Sequence, residues 1–315
     1  MLAGMSHDVF SRRGILAGAA LAPAAAAAQQ TGSGARQPVV QNPYPESNLA
    51  QPGPVIKVLT QTPFTAEELA QFTKAGGATK VEVEIARGRE DFRAKLREAE
   101  VVYGMLNAAD LDYAPKLKWI QNSGAGMEGS DPKVMASNIV ITNMARTFAP
   151  GIAETAIGLL LSLTRGISTY YMPQFAKRQM NPVGTIKSPD HIELGGRVAG
   201  IVGMGGIGSE IARRLHYGFG MTVLATDAKP MPKPEYVAEL HDPGWFAEMV
   251  PKVDVLIAAA PHTKATERMF NEAVFRRMKK TAYFIAVSRG KLFDDLALVK
   301  ALQEGWIAGA GLDVF

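Results

Sequence analysis

The chain has 315 residues, 47% hydrophobic and 20% charged, with a formal net charge of +4 and no cysteine. That length accommodates two domains with separate cores, and the composition excludes a globally disordered class. The missing cysteines exclude disulfides, thiolate catalysis and Cys-based metal sites. Lys and Arg are spread along the chain without a basic run or an aromatic-interleaved patch, so nothing points to nucleic acid.

Residues 11–28 open with Arg12-Arg13 and continue into a short Gly/Ala/Leu run ending at Ala24 to Ala28. A basic pair, a short apolar stretch and small residues in an A-x-A arrangement are the parts of a bacterial export signal. The arginine pair resembles a twin-arginine signal, which predicts an exported, periplasmic protein. The run is too short and too Ala-rich for a membrane span, so no membrane partner is expected. Residues 29–54, rich in Gln, Gly, Ser, Pro and Asn, read as a disordered linker.

From Val55 the chain alternates β-rich runs with helical patterns, as βαβ units do. Strands are predicted over 55–59, 81–85, 101–103, 117–120 and 139–142. Thr65-Ala-Glu-Glu68 is a capping-box start for a helix to about Lys74, and a second helix covers 91–99. A long pattern over 149–168, with Pro150 near its start, is apolar on several faces and reads as a buried helix. Residues 181–196 carry two prolines and three glycines and read as a loop. A second set of strands follows at 197–202, 221–226, 253–259, 282–287 and 307–314. Helices over 206–217, 244–250, 271–278 and 294–303 alternate with them. The predicted division is a signal (1–28), a linker (29–54), a substrate domain (55–149) and a nucleotide-binding domain with its leading helix (150–315).

Gly203-Met-Gly205-Gly-Ile-Gly208 sits where an apolar strand turns into a helix. A pyrophosphate must approach the backbone closely there, and the helix N-terminus supplies N–H donors and the positive dipole end. Gly208 lets the helix pack on the strand. Asp227 lies nineteen residues beyond Gly208, at the end of the next strand. A carboxylate there accepts hydrogen bonds from ribose hydroxyls and repels a 2′-phosphate, so NAD is favoured over NADP.

The chain from Lys118 onward resembles the D-isomer-specific 2-hydroxyacid dehydrogenase family. The resemblance rests on Leu117 to Gly126, on Asn143 to Arg165, on the glycine fingerprint, and on Ala260-Pro-His-Thr-Lys-Ala-Thr266. Phe284 to Gly290 and Gly309 to Phe315 complete it. It implies an α/β fold of two Rossmann-like domains, one binding NAD and a smaller flavodoxin-like one binding substrate, with the active site in the cleft between them. It further implies hydride transfer between NAD(H) and a small 2-hydroxy or 2-keto acid, and a homodimer formed through the hinge-helix region. Arg289 matches the arginine that binds the substrate carboxylate and polarises its carbonyl. Ser123, Gly124 and Ala125 match the loop whose amides hold that carboxylate, with Gly104 and Met105 facing it. Gly206 and Ile207 match pyrophosphate contacts. Ala260, Val287, Ser288 and Arg289 match cofactor-lining positions, and Asp313 matches the acid holding the nicotinamide carboxamide. No metal is implied.

Two departures stand out. Ala286 occupies the place of an asparagine three residues before the arginine. The glutamate and histidine that follow the last motif in the family have no counterpart before Phe315, so the sequence predicts a chain lacking the last substrate-domain segment, with impaired turnover. A nucleotide-binding protein without turnover is the alternative reading, and a formate dehydrogenase has no special support. Of His7, His191, His216, His241 and His262, only His262 falls just past a strand end near the expected cofactor.

Overall fold

The computed structural model describes residues 55–77, 79–127, 129–178 and 191–315. The expected signal and linker, and residues 181–190 of the expected loop, lie outside them. The chain divides into two compact units, Met1–Thr147 and Phe148–Phe315.

In the first unit β1 (Val55–Thr60), α1 (Ala66–Gly76), β2 (Lys80–Ile85), α2 (Arg89–Leu96) and β3 (Val101–Tyr103) alternate as the sequence pattern requires. β4 (Trp119–Gln121), a short α3 (Pro132–Met135) and β5 (Val140–Thr142) complete it. The strands pair in parallel in the order β2-β1-β3-β4-β5, the flavodoxin-like doubly wound arrangement. The capping box at α1 is formed: the Glu68 amide donates to Thr65 Oγ1, and the Thr65 amide to Glu68 Oε2 at 2.8 Å. Leu59, Phe92, Leu96, Val102 and Ile120 fill the core.

The second unit begins with α4 (Ala149–Thr164), which buries Ala153, Ala156 and Leu160. Small residues on β11 (Gly309–Leu312) let α4 lie close: a Cβ on Gly311 would meet Leu159 Cβ at 2.9 Å. The helix ends four residues earlier than the periodicity predicts. Gly166 takes the left-handed conformation (φ 66°), which releases the chain into a π-turn at Ile167–Tyr171 and then α5 (Met172–Ala176).

β6 (Val198–Val202), α6 (Gly206–Phe219), β7 (Thr222–Thr226), β8 (Glu239–His241) and α7 (Phe246–Met249) follow. Then come β9 (Val255–Ala258), α8 (Glu272–Arg277), β10 (Tyr283–Ala286) and α9 (Asp295–Gln303), before β11. The order β8-β7-β6-β9-β10-β11 is parallel throughout, the doubly wound arrangement of dinucleotide-binding folds. Every residue of β9 is buried, as expected for a strand covered on both faces.

Asp254 ties the N-terminal edge of this sheet. It accepts from the Val198 amide at 2.9 Å and from Lys279 Nζ at 2.9 Å. Burial works against its charge, but the Val198 amide and the Lys279 ammonium outweigh it and hold the carboxyl below the ordinary aspartate value. A depressed folded-state pKa contributes stability that is present above the unfolded value and is lost as pH falls through the folded one. Asp254→Ala is therefore expected to lower Tm at pH 7 by about 5 °C, a loss of roughly 2 kcal/mol. The gap narrows below about pH 4. An equal gap in thermal melts at pH 7 and pH 3 would count against this.

Candidate functional site

The fingerprint lies at the switch point of the second sheet, where the strand order reverses between β6 and β9. Gly203 has φ 96°, and a Cβ there would stand 2.6 Å from the backbone N and Cα of Ala260. Its amide donates to the Thr226 carbonyl at 2.8 Å. A Cβ on Gly208 would sit on the Gly203 carbonyl oxygen, so α6 docks against the turn only with glycine there. Nothing lies within 4 Å of a Cβ built on Gly205, the exposed N-cap of α6. The amides of Gly206, Ile207 and Gly208 open a 14-residue helix and have no carbonyl one turn back to bond. The result is an open cradle of N–H groups at the positive end of a helix dipole, the donor set a pyrophosphate requires.

Asp227 follows β7. Its Oδ2 accepts from the Met204 amide at 2.7 Å and its Oδ1 from the Lys229 amide at 2.7 Å. The first bond fixes the carboxylate beside the glycine turn. Each oxygen still has a lone pair to accept a ribose hydroxyl. Across the switch point Ala260 and Val287 are buried. The Val287 amide and Ser288 Oγ both bond the Ala258 carbonyl, at 3.3 and 3.1 Å. Asp313, exposed just past β11, donates its amide to the carbonyl of Ala286. Ala286 is itself fully buried in β10.

Arg289 is half-buried beyond β10, in extended backbone (φ −150°), and its Nη1 donates to the Ser288 carbonyl at 2.6 Å. The loop 260–266 is bound to itself: Thr266 Oγ1 donates to the Pro261 carbonyl at 2.8 Å and accepts from the Thr263 amide at 2.8 Å. His262 Nε2 is buried there without a hydrogen-bond partner among the described residues, 3.9 Å from Glu267 Oε2. His216 bonds the Met221 carbonyl, His241 bonds Glu239 and His191 stacks on Tyr171. Glu154 lies 3.6 Å from Arg214, which links α4 to α6.

In the first unit the loop 122–127 is held from two sides. Asn122, buried after β4, accepts from the Gly124 amide at 2.9 Å and donates to the Gly126 carbonyl at 2.9 Å. Asn143 Nδ2 donates to the Ala125 carbonyl at 2.7 Å, and the Met144 amide to the Gly124 carbonyl at 3.0 Å. This clamp changes which amides are available. Among the described residues the amides of Ser123, Ala125 and Gly126 have no partner, whereas that of Gly124 is taken. Gly126 was not singled out from the sequence. Asn-x-Gly, a frequent side-chain-to-backbone turn, was the available signal. Gly104 (φ 139°) gives its amide to the Gln121 carbonyl at 2.9 Å, and Met105 beside it is exposed.

A doubly wound parallel sheet with a glycine cradle at its switch point, a carboxylate at the end of the adjacent strand β7 and an arginine beyond β10 is the arrangement of a dinucleotide-binding enzyme. Comparison with known proteins gives the rest. The D-isomer specific 2-hydroxyacid dehydrogenase NAD binding domain matches residues 157–315. Glyoxylate reductase of Thermococcus kodakarensis is 34% identical over 238 residues, 72% of this chain and 70% of that protein. Its Thermococcus onnurineus counterpart is 36% identical over the same shares. The NAD-complexed D-isomer specific 2-hydroxyacid dehydrogenase of Lactobacillus delbrueckii ssp. bulgaricus superposes with a TM-score of 0.66 at 24% identity. That match covers 83% of this chain and 79% of the other.

The chain belongs to the D-isomer-specific 2-hydroxyacid dehydrogenase family. It is an NAD-dependent oxidoreductase that moves a hydride between NAD(H) and a small 2-hydroxy or 2-keto acid. Nothing in these likenesses supports impaired turnover. They overturn one expectation. The likeness is to glyoxylate reductases of archaea, so export by a twin-arginine signal and a periplasmic location do not stand. An arginine pair before an Ala-rich run is a compositional pattern that packing does not require, and it carried that expectation alone.

Proposed function

We propose that the protein reduces a small 2-keto acid of the glyoxylate type with NADH. The observation that carries this is the clamped loop after β4, which presents the amides of Ser123, Ala125 and Gly126 unpartnered. Unpartnered amides clustered in one short loop are a donor set for a carboxylate. Gly124 contributes its small size, and Gly104 and Met105 border the loop from the end of β3. Arg289 is proposed to bind a substrate carboxylate and to draw electron density from the carbonyl by charge-assisted hydrogen bonding.

Residues 150–315 act as the nucleotide domain and 55–149 as the substrate domain. Gly203, Gly205, Gly206, Ile207 and Gly208 hold the pyrophosphate, Asp227 the adenine ribose, and Asp313 the carboxamide. Ala260, Val287 and Ser288 line the nicotinamide side, which Arg289 borders. Bound NADH supplies the hydride, and the chain's own residues bind, orient and polarise.

The test is oxidation of NADH at 340 nm on adding glyoxylate, run beside Asn122→Ala. The wild type is expected to saturate. Asn122→Ala, which releases the loop, is expected to raise KM for the keto acid about tenfold with NADH affinity unchanged. Absence of glyoxylate-dependent oxidation by protein that binds NADH, or an unchanged KM in the variant, overturns the reading.

We also propose a homodimer. Ile167, Tyr171, Met172 and Phe175 after α4 are 44%, 45%, 61% and 85% exposed, a cluster of apolar side chains that a lone subunit gains nothing by presenting to water. Phe175→Asp is expected to shift the mass measured by light scattering from dimer to monomer. A wild-type monomer would refute the proposal.

A further inference from the structure

The turn that closes β5 onto the substrate loop carries a residue its backbone disfavours. The Thr147 amide bonds the Met144 carbonyl at 3.3 Å, which makes Met144–Thr147 a four-residue turn with Arg146 third. Arg146 has φ 70°, a conformation that at this turn position selects glycine or asparagine. A non-glycine residue held there costs free energy, and such strain is retained where the side chain has a use. Arg146 has none that is structural. It is exposed, and it makes no hydrogen bond, ion pair or ring contact among the described residues.

Its place gives it one. The two residues that open this segment are those that hold the loop: Asn143 through the Ala125 carbonyl at 2.7 Å and Met144 through the Gly124 carbonyl at 3.0 Å. Arg146 therefore stands on a turn bonded directly to the loop whose amides take the substrate carboxylate. Those amides already satisfy one carboxylate group. A guanidinium carried on the turn bonded to that loop matches a second anion, because its planar fork binds carboxylate in a bidentate manner.

We propose that Arg146 is a specificity-determining residue that receives the distal carboxylate of a 2-keto dicarboxylate. The physiological substrate is then a keto diacid, and glyoxylate, with a single carboxylate, is a minimal substrate. This rests on the reading that the 123–126 amides hold the first carboxylate.

The test compares kcat/KM for glyoxylate, oxaloacetate and 2-ketoglutarate in the wild type, Arg146→Gly, Arg146→Lys and Asn122→Ala, with Tm measured for each. The wild type is expected to prefer a diacid. Arg146→Gly is expected to lose about tenfold or more on the preferred diacid and less than twofold on glyoxylate. Its Tm is expected to rise, because glycine accepts the left-handed turn without strain. Arg146→Lys, which keeps charge without the fork, falls between.

Equal losses on all three substrates, no loss on the diacids, or a wild type that prefers glyoxylate each overturn the proposal. The underlying reading fails separately: Asn122→Ala would then leave KM unchanged for every substrate, glyoxylate included.

Discussion

Gly208→Ala is expected to abolish saturable NADH binding and to lower Tm by several degrees. The added methyl would occupy the position of the Gly203 carbonyl oxygen and stand 3.2 Å from Ile201 Cγ2. The turn cannot retreat. The Gly203 amide is bonded to Thr226, and the Ala260 backbone fills the space behind Gly203. The helix must move instead, and α6 carries the fully buried Ile211, Ala212 and Leu215 on the same face. Lifting it costs packing in the core and displaces the amides of Gly206, Ile207 and Gly208.

A second variant separates folding from binding. Nothing meets a Cβ at Gly205, whose φ is −66°, so Gly205→Ala is expected to leave Tm within about 1 °C. Its methyl projects into the open cradle and holds a pyrophosphate off the backbone, so NADH affinity falls about tenfold or more. Fluorescence titration of both variants decides the matter. Gly205→Ala with wild-type affinity would mean that the nucleotide does not lie over this turn.

The nucleotide half of the molecule was legible because its chemistry is written in local sequence. Glycines at fixed spacing, an apolar strand before them and an acid at the next strand end determine one geometry together. The capping box at Thr65 was legible for the same reason, since both partners lie within four residues. What escaped was set by contacts across the chain. β8 has three residues and pairs only with β7 at the sheet edge, so no alternation long enough to register marks it. The long helix is shorter than its periodicity predicts because Ile167 continues the apolar pattern past Gly166, and the left-handed glycine overrides that periodicity. The loss of the Gly124 amide to Asn122 escaped for a different reason. That bond is a local Asn-x-Gly turn, which the family motif of small residues does not show, whereas the pinning of the Ala125 and Gly124 carbonyls by Asn143 and Met144 comes from eighteen or more residues away. The strained backbone at Arg146 is a property of that same closure.

Arg289→Lys is expected to lower kcat/KM for a 2-keto acid at least a hundredfold while NADH affinity stays within about threefold. The substitution retains the positive charge and removes the planar fork, so it isolates geometry from charge. In the structure the fork is steadied before any substrate arrives: Nη1 is bonded to the Ser288 carbonyl, whose residue is anchored through Oγ to Ala258 on β9. A guanidinium held this way has an orientation that follows from the sheet. A lysine ammonium on a flexible stem reaches one oxygen at a time. Two quantities should respond. KM rises because the carboxylate loses its bidentate partner. kcat falls because the carbonyl loses a donor whose hydrogen bond strengthens as negative charge grows on its oxygen during hydride arrival; removal of one such donor typically costs about a hundredfold to a thousandfold. NADH affinity is expected to change little, since Arg289 borders only the nicotinamide side, while the cradle at Gly203 to Gly208 and the carboxylate of Asp227 lie at other strand ends. Stopped-flow NADH binding with steady-state kinetics on the same preparation distinguishes the outcomes. A variant that retains kcat/KM within threefold of wild type would remove Arg289 from the chemistry, and one that loses NADH binding in parallel would make its main role that of a cofactor contact.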